Sequence, residues 1–183
     1  MKDKFVNEYT YKKFLDLDKE EEFDFLFNQA VEQTKELFGS EYPIYIDGKE
    51  IYLEDKLKET SPIDHNIVIG YFSKASRENA KQAITAAKKA FETWSNINYK
   101  KRIEIFKKIV EAFSKQKFEL AAILSFENAK SRYESIGEVD EAIDFINYYI
   151  NELILNKGFA RKTSSESAKK IVELNFQGAP AEA

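Results

Sequence analysis

Four carboxylates crowd the short run from Gly137 to Ile150: Glu138, Asp140, Glu141 and Asp144. Closely spaced acids are the usual tools of general acid–base chemistry, and Glu141 and Asp144, three residues apart, share a face if the run is helical. Glu134, Glu138 and Glu141 offer oxygen ligands for a metal, but no histidine lies near them in sequence. The same run carries Val139, Ile143, Ile146 and Ile150 at three- and four-residue spacing, which makes it an amphipathic helix. Its acids fall mostly in the first turns, where they complement the helix dipole. The expectation is therefore a solvated first turn rather than an acid–base pair.

Other candidate groups are few. His65 is the lone histidine, between Pro62 and Ile67 in an expected turn, where a surface role is the simpler reading. Lys100, Lys101, Arg102, Lys107, Lys108, Lys115 and Lys117 form a basic cluster, but Glu104 and Glu111 interrupt it, so it reads as a solvated helix face. The chain has no cysteine, which excludes disulfides, thiolate metal sites and thiol catalysis within these residues. Its six glycines, at 39, 48, 70, 137, 158 and 178, are too scattered for a G-x-G-x-x-G turn or a P-loop. Autonomous dinucleotide binding is not expected.

These groups are positioned by a succession of short elements. Residues 1–25 mix Phe5, Tyr9, Tyr11, Phe14 and Leu17 with charges and read as an extended arm. Asp18 and Glu20–Glu22 head a helix carrying Phe23, Leu26, Phe27, Ala30, Val31 and Thr34, with Gly39 as its stop. Ile44–Ile46 and Lys49–Leu53 flank Asp47-Gly48, a hairpin signal of the type I′ kind. A second strand pair is expected near Leu57–Ser61 and Ile67–Phe72. Ser76 caps a helix reaching Trp94, and a further helix spans Tyr99 to Lys115. A shorter helix holds Leu120 to Leu124, and a long one runs from about Ser131 to Leu155, ending near Gly158. Residues 159–170 are basic and serine-rich, and Ile171–Phe176 alternates like a strand with no partner nearby. The organisation reads as an arm and helix (1–41), hairpins plus a helical bundle (42–157), and a loose segment with an orphan strand at 171–176 (158–183). The fold class is α+β, a helical layer with small antiparallel strand pairs.

Several of these stretches resemble the N-terminal region of the aldehyde dehydrogenases. Tyr42–Ile51 is similar to the family's first hairpin, and Gly70–Ser76 with Ala80, Ile84 and Ala87–Trp94 to its strand and first long helix. Glu127-Asn128-Ala129-Lys130, Arg132-Tyr133-Glu134 and Gly137–Ile150 continue the pattern. Phe5-Val6-Asn7-Glu8 and the helix before Tyr42-Pro43 resemble the 1-pyrroline-5-carboxylate (glutamate semialdehyde) dehydrogenases. Locally the chain departs from the family: Ala129 replaces a glycine, and Asp64-His65-Asn66 replaces an Asn-Pro. The resemblance implies NAD(P)-dependent oxidation of an aldehyde to a carboxylate. In that chemistry a cysteine attacks the aldehyde, hydride passes to the nicotinamide, and a glutamate activates the water that releases the acid. None of those groups can be placed in this chain. The resemblance also implies that Glu141, with Phe145 and Tyr148 one and two turns further on, borders the substrate access.

Composition agrees with this reading. The chain of 183 residues is 43% hydrophobic and 33% charged, with a net charge of −4, which suits a soluble domain and argues against a nucleic-acid binder. No apolar run is long enough for a membrane helix, and the start leads into no signal segment, so the cytoplasm is the expected compartment. The expected function is that of an N-terminal fragment or truncated paralogue of such a dehydrogenase, inactive by itself. The alternative is a non-catalytic interaction module that docks onto itself or a full-length subunit. The expected partner is the remainder of the dehydrogenase or a second copy, and the polar tail after the orphan strand favours a chain cut within a domain.

Overall fold

The computed structural model describes residues 10–159. The expectations for Phe5–Glu8 and for the strand at 171–176 lie outside the described residues. Within them, six α-helices and five short strands follow one another, and the helices carry the core.

The expected extended arm is in part a helix, α1 (Thr10–Leu15). Tyr11 and Phe14 are three apart, so a helical turn places both rings on one side. There they meet Phe23 of α2 (Glu20–Glu36), with ring centroids 5.0 and 5.3 Å away. Asp18, in the left-handed region at φ 52°, turns the chain back between the two helices. Three glutamates in the first turn of α2 supply the charge that its N-terminus favours, although no side chain caps it.

Phe23 and Phe27 of α2 bury against Ala121 of α5 (Lys117–Asn128) and against Ile136, Val139 and Ile143 of α6 (Arg132–Leu155). α4 (Tyr99–Lys115) closes the layer with Ile103 inward. Full burial of a side chain the size of Phe23 contributes about 2–3 kcal/mol.

The hairpin forms as its sequence demands. β2 (Ile44–Ile46) and β3 (Lys49–Ile51) pair antiparallel, with Ile46 opposite Lys49. Asp47 (φ 54°) and Gly48 (φ 72°) both take the positive φ that a type I′ turn requires. β4 (Lys56–Thr60) and β5 (Val68–Ser73) form the second antiparallel pair, with a register shift at Glu59/Thr60. The sheet differs from expectation in one respect: β1 (Ser40–Tyr42) joins β5 in parallel, giving the order β1-β5-β4. Gly70 makes that contact possible, since a Cβ there would lie 2.7 Å from the Tyr42 ring. Tyr42 instead stacks on Phe72 at 4.8 Å.

α3 (Arg77–Trp94) opens with a Ser76/Asn79 capping box and lies beside β2. None of its residues is buried, and Ile84, Phe91 and Trp94 all face outward. The chain leaves α6 through a 3₁₀ turn, Lys157–Phe159, at Gly158.

Candidate functional site

The carboxylate and substrate-access candidates all sit on α6. Its start is fixed by a capping box in which Ser131 Oγ accepts from the Glu134 N–H and Glu134 accepts from the Ser131 N–H at 3.0 Å. Hydrogen bonds from the Ser131 side chain and then its backbone hold the Glu134 carboxyl below the usual glutamate range.

From that start the helix separates its acids into two groups. Glu138 is exposed and pairs with Lys130 at 2.6 Å, as a solvated first turn should. Asp140 and Asp144 correct the expectation, being only 3% and 6% exposed. The reason is register: positions 136, 140, 143 and 144 lie on one stripe, so the two aspartates face inward with Ile136 and Ile143. Asp140 accepts from Lys117 Nζ of α5 at 2.8 Å to each oxygen and from the Thr10 hydroxyl of α1. One carboxylate of α6 thus ties α1, from the far end of the chain, to α5. Ser125 and Ser135, 2.9 Å apart, form a second polar link between α5 and α6. Sequence periodicity could have flagged Asp140, but its partners lie too far along the chain to be inferred.

Glu141 is half-buried, while Phe145 and Tyr148 are exposed at 52% and 47%. Their spacing of four and three keeps them on one side of α6. Tyr148 also lines an apolar groove of about 550 Å³ between α4 and α6, with Phe106, Ile146, Leu153 and Phe159. Glu141 and Phe145 do not line it. Glu141 is half-buried and Asp144 is buried, so the two carboxylates sit in different surroundings.

The remaining candidates have structural or surface places. His65 is exposed on the loop between β4 and β5. Most of the basic cluster is solvated, but Arg102 and Lys117 correct that reading. Arg102 Nη2 donates to the Trp94 and Ser95 carbonyls at 2.9 Å each, closing the C-terminus of α3, and its guanidinium lies 5.5 Å from the Trp94 ring. Among the described residues no cluster of histidine, aspartate and glutamate could hold a metal ion. Among the described glycines, Gly39, Gly48 and Gly158 take positive φ, Gly70 lies against the Tyr42 ring, and Gly137 sits within α6.

A hairpin, a small mixed sheet and a layer built on a long capped helix are the opening elements of a known enzyme architecture. The aldehyde dehydrogenase family pattern matches residues 51–175, and the chain belongs to that family. Its relatives include the 1-pyrroline-5-carboxylate dehydrogenases of Bacillus pumilus, 34% identical over 82% of this chain, and of Oceanobacillus iheyensis, 33% identical over 72%. These matches cover 29% and 26% of the relatives' own lengths, so the chain spans about a quarter of each. Among solved structures, an arginine-to-alanine mutant of Thermus thermophilus 1-pyrroline-5-carboxylate dehydrogenase aligns with a TM-score of 0.73 and 30% identity. That alignment covers 78% of this chain and 28% of that one. A Thermus enzyme with bound NAD aligns at 0.70 and 32% identity, over 72% and 25%. Among the described residues no helix is long and apolar enough to cross a membrane.

Proposed function

We propose that these residues form the N-terminal portion of an NAD(P)-dependent 1-pyrroline-5-carboxylate dehydrogenase that oxidises glutamate semialdehyde to glutamate in proline degradation. The relatives' activity supports the reaction, and α3 supports the incompleteness. An 18-residue amphipathic helix without one buried residue is built to lie against a surface that the described residues do not supply. The relatives are about four times longer than their match and have that additional chain. In this reading the cytoplasm is the compartment, NAD(P) binds the remainder of the enzyme, and the present chain is inactive alone, because these 183 residues contain no cysteine. Glu141, Phe145 and Tyr148 border the access route for the aldehyde substrate. The same bare helix favours a second reading, in which the chain is an interaction module that docks onto itself or onto a full-length subunit.

A chimera tests the first reading. The chain replaces the matching part of the Bacillus pumilus enzyme, and NADH formation from 1-pyrroline-5-carboxylate is followed. The expected result is activity in the chimera and none in the chain alone. A folded chimera that is inactive, while the relative's own N-terminal portion restores turnover, would overturn it. Light scattering of the chain with and without the intact relative separates the second reading, which requires a complex.

A further inference from the structure

A pocket of about 210 Å³ lies between α2, the three-stranded sheet and α5. Four aromatic rings, Phe38, Tyr42, Phe72 and Phe126, line it together with aliphatic side chains such as Leu37 and Ile123. Phe38 and Phe126 meet edge to face at 4.9 Å, and Tyr42 stacks on Phe72 at 4.8 Å. Glu127, in the last turn of α5, brings the single charge on this lining. Ser61 Oγ donates to the Phe126 carbonyl at 2.6 Å, so the end of β4 is fastened to the end of α5. Glu127 is exposed, and partial desolvation first and the negative Glu59 second push its carboxyl above the usual glutamate range. The carbonyl end of α5 adds partial negative charge at the same place. The three contributions have one sign.

We propose that this pocket binds a small aromatic ammonium ion, its ring among the aromatic side chains and its charge at Glu127. A cavity of roughly 150 Å³ accepts benzene, so the space suffices for a phenyl ring with a short aliphatic amine. Aromatic walls with a carboxylate are the chemistry that selects organic cations over neutral molecules of the same shape. A neutral ligand would leave Glu127 and Glu59 repelling each other, whereas an ammonium group relieves that repulsion. Neither the dehydrogenase chemistry nor the candidate residues of α6 enter this argument.

Calorimetric titration of the full 183-residue chain decides the matter, with 2-phenylethylammonium chloride and the neutral 2-phenylethanol as probes. The ammonium ion should bind about tenfold more tightly than the alcohol. Glu127→Gln should remove that preference while leaving alcohol binding and the circular dichroism unchanged. Ile123→Trp, which fills the space, should abolish both. Equal binding of the two probes, binding of neither, or an ammonium affinity untouched by Glu127→Gln would overturn the proposal. Displacement of the ammonium probe by potassium but not by tetramethylammonium, at equal ionic strength, would also overturn it in favour of an inorganic cation site.

Discussion

α3 and α6 begin alike and end differently. Each is a long amphipathic helix opened by a serine capping box, at Ser76 and at Ser131. α6 buries seven residues against the other helices of the layer, whereas α3 buries none. Capping and periodicity are therefore enough to specify a helix in this chain, while burial depends on what lies opposite. One helix is covered by the described residues and the other is not.

The largest expected effect widens that contrast. Phe23→Ala empties the centre of the layer beneath α6 and should cost about 3–5 kcal/mol in urea unfolding. Phe91→Ala on α3, which is 64% exposed, should stay within about 0.5 kcal/mol. A comparable loss at Phe91 would mean that α3 is already covered in solution. Next is Asp140→Ala, which removes the acceptor of Lys117 and of the Thr10 hydroxyl and should cost about 3 kcal/mol. Hydrogen exchange should then show α1 opening ahead of the rest of the layer. Unchanged protection of α1 would remove Asp140 as its anchor.

Smaller changes test the helix ends. Ser131→Ala should lower global stability by about 1 kcal/mol. Ser76→Ala, of the same chemistry, should mainly fray the first turn of α3, visible as faster amide exchange with little change in the unfolding midpoint. Ala129 ends α5 in the left-handed region at φ 55°. Ala129→Gly should therefore gain about 1 kcal/mol. A loss there would show that the alanine methyl is held by packing.

The smallest effect is a matter of sign. Glu127 has a raised carboxyl pKa, so its favourable contribution is fully present below the unfolded glutamate value and is lost as pH rises through the raised folded one. Glu127→Gln should thus raise the melting temperature slightly at neutral pH, and the gain should vanish below about pH 4. Glu134 runs the other way: its depressed carboxyl contributes above the unfolded value and loses that contribution as pH falls through the folded one.

Local chemistry made much of the fold legible. Ser76 and Ser131 each carry the start of a helix, and Asp47-Gly48 can hardly be other than a tight hairpin turn. The parallel pairing of Ser40–Tyr42 with Gly70–Phe72 was hidden, because a polar three-residue strand has no periodicity and its partner lies thirty positions away. The candidate site was half legible for the same reason. Spacing placed Glu141, Phe145 and Tyr148 on one side of α6, yet nothing near Asp140 in sequence announces that Lys117 and Thr10 will enclose it.

The bond between Thr10 and Asp140 spans 130 positions. On a ribosome adding about 5–20 residues per second, α1 emerges roughly 7–26 seconds before its anchor exists. Through that interval Tyr11 and Phe14 lack the helix that completes their shelter. The opening segment of the polypeptide is therefore among the last to settle, and its docking reports that the whole layer has been assembled.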